Sequence, residues 1–323
     1  MNPVTPAMQR TEAMPGDPAS WLNAQAGLAG QLSRSTRELG RLEATIAALP
    51  EAEAEGARMR LALLEVEAML WSQGIALSRD EIGRDLMDAR ADSDPEALRI
   101  ARWALRRLTG RADLGDLAAF LGMHGASHAN PALPSLRARG KDFDDAAAMF
   151  ACGVDAITGL EPIARGPAIL MLWRQAELSP PAEVVEPAVW SARHMALDGG
   201  AMPFVPLGQH GRRTWPASGP VADRLAAHLA AAEAGARDAR IAILQLQAWA
   251  ARARATVVRN DGDNAHRVIG ALLARPLVSA MEVEAQAGVS RSTAIRVLTR
   301  LQDGALLREV TGGRRFRLWT VAA

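Results

Sequence analysis

Residues 266–319 read HRVIGALLARPLVSAMEVEAQAGVSRSTAIRVLTRLQDGALLREVTGGRRFRLW. The apolar positions of Arg267–Ala274 predict a short helix, which Pro276 ends because proline cannot continue the backbone ladder. Ser279 and Glu282 stand three apart, the spacing of a capping box. They predict a second helix with Val283 and Ala287 inward and Gly288 in the tight turn after it. Ser290 is placed to cap a third helix. At about 100° per residue, Ala294, Val297, Leu298 and Leu301 share one arc, while Arg291, Ser292, Ile295, Arg296 and Thr299 lie opposite. Leu306–Val310 and Phe316–Val321 then predict two strands, joined through Thr311 and Gly312-Gly313.

Three helices followed by a hairpin are the order of a winged helix-turn-helix, whose third helix enters the DNA major groove. The outer face of this third helix carries arginines and hydroxyls but no acid, unlike the mixed charges of a merely solvated face. Arg291, Ser292, Ile295 and Arg296 are therefore the expected base contacts, with Ile295 suited to a thymine methyl. Ser290, Thr299 and Arg300, with Arg314, Arg315 and Arg317 of the wing, are the expected phosphate contacts. From His266 onward there are nine arginines and four acids, a balance of +5 in a chain of net charge +1. The preceding residues are thus net acidic, and positive charge is concentrated on the one module that has the layout of a DNA reader. Winged helices also serve as protein-interaction modules, so an accessory protein whose winged helix binds protein is the alternative.

Working outward, the remaining sequence predicts helices. Leu28, Leu32, Leu39, Leu42, Ile46 and Leu49 form a broken apolar stripe that stops at Pro50. Glu51–Gly74 follows with Leu61, Leu64, Ala68 and Trp71 on one face. Ser78 with Glu81 and Asp94 with Pro95 start two more helices. Helical spacing resumes over 142–160, 167–177 and 181–197. Residues 221–258 predict the longest helix, a candidate dimer element that packing within its own domain would equally explain. Residues 122–140 and the proline-rich 199–219 read as loops, the second as a long surface connection. The expected fold is mainly α: a loose tail over 1–20, an all-helical bundle over 21–260 and the winged helix over 266–323.

The 323 residues, 49% of them apolar, suffice for two or three domains. Lys141 is the single lysine and tyrosine is absent, which reads mainly as the codon bias of a GC-rich genome. Cys152 is the single cysteine, so no internal disulfide and no cysteine cage for zinc can form; its apolar helix suggests a buried filler role. No apolar run reaches the roughly 20 residues of a membrane helix, and no signal peptide opens the chain. The expected setting is cytoplasmic, with double-stranded DNA as partner and no cofactor.

Catalytic patterns are incomplete. Gly125-Ala-Ser127-His128-Ala129 falls short of the nucleophile elbow, which needs a strand before it. His124 and His128 have metal-ligand spacing without a third ligand nearby. Asp142, Asp144 and Asp145 fit the first turn of a helix, where carboxylates answer its dipole. No P-loop or G-x-G-x-x-G occurs.

The stretch LALLEVEAMLWSQGIALSRDEI (61–82), followed by DPEALRIARWALRR (94–107), resembles an uncharacterised family of alphaproteobacterial, often plasmid-borne proteins. Its members join a helical domain of unknown function to a C-terminal helix-turn-helix. The likeness reaches RPLVSA (275–280) and the wing ending at Trp319. It implies a helical first domain, a DNA-binding second one and no established reaction. The layout is also similar to Fic-type nucleotidyl transferases, whose active loop follows H-x-F-x-[DE]-G-N-G-R. His210-Gly-Arg-Arg213 is the only match here and lacks the phenylalanine, the acid and the Gly-Asn-Gly, so a degenerate Fic-like enzyme is the further alternative.

Overall fold

The computed structural model describes residues 17–89, 93–110, 113–123, 137–196, 198–257, 262–311 and 317–322. The chain is mainly helical, with a small antiparallel sheet near its C-terminus. Helix α1 (Pro18–Gly27) begins inside the stretch expected to be tail. Asp17 accepts from the Ala19 N–H, proline occupies the first turn, and Trp21 is fully buried. Leu28 interrupts the helix, so the long stripe becomes α1 and α2 (Ala29–Ala47). α3 (Glu51–Ser72), α4 (Arg79–Leu86) and α5 (Pro95–Thr109) follow, with the capping box of Ser78 and Glu81 and the cap of Asp94 both formed. Trp71 departs from the expected buried stripe: it is half exposed, with the Arg212 guanidinium 5.3 Å from its ring centroid.

α6 (Leu117–Leu121), α7 (Lys141–Ala156), α8 (Gly166–Gln175) and α9 (Val185–His194) complete this half. Asp142 and Asp144 stand in the first turn of α7, where the dipole favours them. Cys152 is exposed rather than buried, because the buried side of α7 is Phe143, Phe150 and Val154. Phe150 packs edge-on against Trp173 and Trp190, at centroid distances of 5.2 and 4.9 Å. His124, Ser127 and His128 lie outside the described residues.

The expected surface connection over 199–219 is instead part of the core. Met202, Phe204, Val205, Leu207 and Trp215 are at most 2% exposed. A chain without a regular ladder enters the interior only if its backbone groups find partners. Here Glu43 accepts from the N–H groups of Ala201 and Met202, and Glu65 accepts from those of Leu207 and Gly208. Val205 donates to Ala192 O at 2.9 Å, and residues 208–213 close into a 3-10 turn.

α10 (Val221–Val257) is about 55 Å long at 1.5 Å per residue, and it serves two cores. Leu225, Leu229, Ala236 and Ile243 belong to the first, with α1 to α9; Leu246, Trp249, Ala253 and Val257 belong to the second. α11 (Gly262–Ala274), β1 (Val278–Ser279), α12 (Ala280–Ala287), α13 (Arg291–Asp303), β2 (Leu307–Glu309) and β3 (Leu318–Val321) build the remainder of that second core. The sheet order is β1-β3-β2, with Val278 opposite Trp319 and Glu309 also opposite Trp319. β1 adds a strand that the sequence pattern did not reveal, since two residues are too few to show a period. No helix among the described residues is long and apolar enough to cross a membrane.

Candidate nucleic-acid interface

The three C-terminal helices are held by local chemistry that the sequence spelled out. Ser279 accepts from the Glu282 N–H at 3.2 Å while Glu282 accepts from the Ser279 N–H at 2.9 Å. Gly288 ends α12 at φ 58°, a left-handed conformation that favours glycine. Ser290 then caps α13 through the Thr293 N–H at 3.3 Å and shares hydroxyl contacts of 3.0 Å with Ser292 and Thr293.

Ala294, Val297, Leu298 and Leu301 of α13 are all fully buried. The floor beneath them includes Trp249 of α10, whose indole N–H donates to Leu306 O at 2.6 Å. On the opposite face Arg291, Ser292, Ile295, Arg296 and Thr299 are exposed, Ile295 to 44%, and Arg300 is half-buried. Arg291 has one acidic neighbour, Glu284 at 3.9 Å. Met281 on α12 is also exposed.

The charge excess counted along the sequence is partly spent inside the protein. Arg308 grips both oxygens of Asp80 at 2.8 and 3.1 Å. Arg317 donates to Glu309 at 2.7 Å and Gln302 at 2.8 Å, with its guanidinium 4.9 Å from the Trp319 ring centroid. Arg267 bonds Gly288 O and Asn264, and Arg275 lies 3.8 Å from Glu282. Arg314 and Arg315, expected at the wing, lie outside the described residues. α13 itself carries Arg291, Arg296 and Arg300, the first two exposed and the third half-buried.

A docking contact, invisible to the sequence reading, fixes where this module sits. Arg60 of α3 donates to Leu273 O at 2.7 Å, Leu272 O at 2.6 Å and Arg275 O at 2.5 Å, satisfying the C-terminal carbonyls of α11. Burial pushes its pKa down to about 10, so it stays charged at neutral pH. Gly56, one turn earlier, allows the close approach: a Cβ there would overlap Leu273 O. No sequence period marks this pair, because the contact is between segments more than 200 residues apart.

A cleft of about 340 Å³ opens between α3, α10 and the 208–213 turn, lined by Glu65, Glu67, Arg79, His210, Arg212 and Asp238. His210 Nε2 lies 2.9 Å from Asp238 Oδ2. Glu65 is fully buried, and desolvation pushes its pKa up to about 7 against the two backbone N–H bonds that pull it down. The segment around His210 lacks the Fic phosphate loop.

No protein-family model matches this chain, and no curated protein matches it.

Proposed function

We propose that residues 262–322 form a winged helix-turn-helix and that the chain is a sequence-specific binder of double-stranded DNA, acting as a transcriptional regulator. The observation that carries this reading is the division of α13. Its inner face is fully buried, and its outer face offers Arg291, Ser292, Ile295, Arg296 and Thr299, with the exposed Asp303 at the C-terminal end as the one acid of the helix. The N-terminus of α13, with the Ser290 and Ser292 hydroxyls, supplies the partial positive charge that suits a phosphate. Arg291 and Arg296 are long enough to reach guanine edges, Ile295 suits a thymine methyl, and Thr299 and Arg300 fall toward the backbone. Arg314, Arg315 and Arg317 of the wing are the further phosphate contacts of this reading, Arg317 also donating to Glu309 and Gln302.

The test is selection of a preferred site from random duplexes, followed by gel-shift titration at several salt concentrations. Wild type should bind with an affinity that falls steeply with salt, through counterion release. Arg296→Ala should relax preference at a base pair by about 1–3 kcal/mol, and the Arg291→Ala/Arg296→Ala pair should abolish selection. Equal binding by wild type and that double variant would sink the assignment.

The cleft at His210 favours a second reading, a small-molecule or catalytic site in the helical half. If it is one, His210→Ala should change a ligand-dependent response while leaving binding to bare DNA intact.

A further inference from the structure

A cavity of about 260 Å³ lies where the C-terminal module meets the helical half. The helical half supplies Leu63 of α3, Arg79 at the start of α4 and Ala242 of α10. The module supplies Leu277, Arg308 of β2 and Val321 of β3. The charged groups among the described lining residues are Arg60, Arg79, Arg308 and Asp80, and their pairing leaves an excess of positive charge. Asp80 is taken by Arg308, which grips both of its oxygens at 2.8 and 3.1 Å. Arg60 donates to backbone carbonyls alone, and those are neutral. The Arg79 backbone N–H bonds Glu67 at 3.1 Å, but its exposed guanidinium has no partner among the described residues. The exposed amide of Gln245, also in the lining, has none either. An apolar recess between two structural units, with a few polar groups converging on it, is the usual form of a small-molecule site.

We propose that this cavity binds a small organic carboxylate, its apolar body against Leu63, Leu246, Leu277 and Val321 and its anionic group on Arg79. A guanidinium presents parallel N–H groups that match the two oxygens of a carboxylate. Arg308 has N–H groups beyond the two given to Asp80 and can share the same anion. A cationic ligand is disfavoured, because the carboxylate of the lining is already committed to Arg308. A bare inorganic anion would leave the apolar wall unused. Because the walls come from both halves, the ligand is held only while the module is docked, and binding stabilises the docked arrangement. If residues 262–322 read DNA as proposed above, the ligand is an effector of that binding; this role rests on the nucleic-acid reading, whereas the site itself does not.

The test titrates the full chain by calorimetry with benzoate, cyclohexanecarboxylate and hexanoate at fixed ionic strength, beside their neutral primary amides and inorganic phosphate. At least one carboxylate should bind saturably, one per chain, and raise the melting temperature. Its amide and phosphate should bind about tenfold more weakly or not at all. Arg79→Gln should weaken that carboxylate by a similar factor, with far-UV circular dichroism unchanged because the guanidinium has no partner to lose, and Arg79→Lys should recover part of the loss. Ala242→Leu, which adds volume at a half-buried position of the wall, should block binding. No saturable binding by any of the three, equal binding of an acid and its amide, or a ligand indifferent to both Arg79→Gln and Ala242→Leu would overturn the proposal. Gel shifts with and without the bound carboxylate read the effector role, and the DNA midpoint should move by about fivefold or more. An unmoved midpoint would remove that role, whereas a chain that binds the carboxylate but no DNA would overturn the nucleic-acid reading alone.

Discussion

His228 shows how one buried side chain writes itself into the pH dependence of the whole fold. It sits fully enclosed on α10, its Nε2 3.0 Å from Ile163 O, and burial pushes its pKa down to about 4. The unfolded chain therefore holds more protons than the folded one between about pH 4 and 6.5. Stability is full above that window and is lost as pH falls through it, by about 3 kcal/mol in total. Glu65 runs the other way: its raised pKa means that stability declines as pH rises from about 4.5 to 7 and levels off above. His228→Gln keeps a donor for Ile163 O and cannot take up the proton. Urea unfolding at pH 5 and pH 7 should show the variant losing less stability on acidification than wild type. Equal losses would remove His228 from this role.

At the scale of elements, α12 and α13 are set by their caps more than by intrinsic helical preference. α12 has eight residues, too short to be stable alone. Its reciprocal bonds between Ser279 and Glu282 satisfy two donors that would otherwise face the sheet. Ser279→Ala should lower the urea midpoint by the equivalent of about 1 kcal/mol with an unchanged m-value. A change in m instead would mean that the substitution alters the extent of folded structure. If α13 reads DNA as proposed, the same variant should weaken binding across all sequences alike, because α12 packs against α13. Arg296→Ala should instead act at one base pair.

At the scale of the molecule, α10 makes one unit of two cores. Trp249 anchors the second core on a helix that begins in the first, while Arg60 and the Arg308–Asp80 pair tie the halves a second time. Heating should therefore give one cooperative transition, seen alike by circular dichroism and tryptophan fluorescence. Gly56→Val forces a side chain into Leu273 O and should undock the C-terminal module, lowering the transition and separating the two probes. Coincident, unshifted curves for that variant would show that the contact at Gly56 contributes nothing to the joint. The His210 cleft adjoins this joint, since Arg79 lines the cleft and the next residue, Asp80, holds Arg308.

The local features were legible from residue order alone: the caps at Ser78, Asp94, Ser279 and Ser290, the turn at Gly288, the span of α10 and the two faces of α13. Each depends on residues within about one helical turn of each other, where spacing and side-chain chemistry suffice. Long-range contacts decided the rest. The proline-rich segment over 199–219 turned inward because Glu43 and Glu65, more than 140 residues away, satisfy its backbone. Arg308 and Arg317 took internal partners because folding brought Asp80, Glu309 and Gln302 to them. Trp71 and Cys152 were exposed because packing with other helices selects the buried face. A periodic pattern fixes which residues share a face, but which face meets a neighbour depends on partners that only the folded chain assembles.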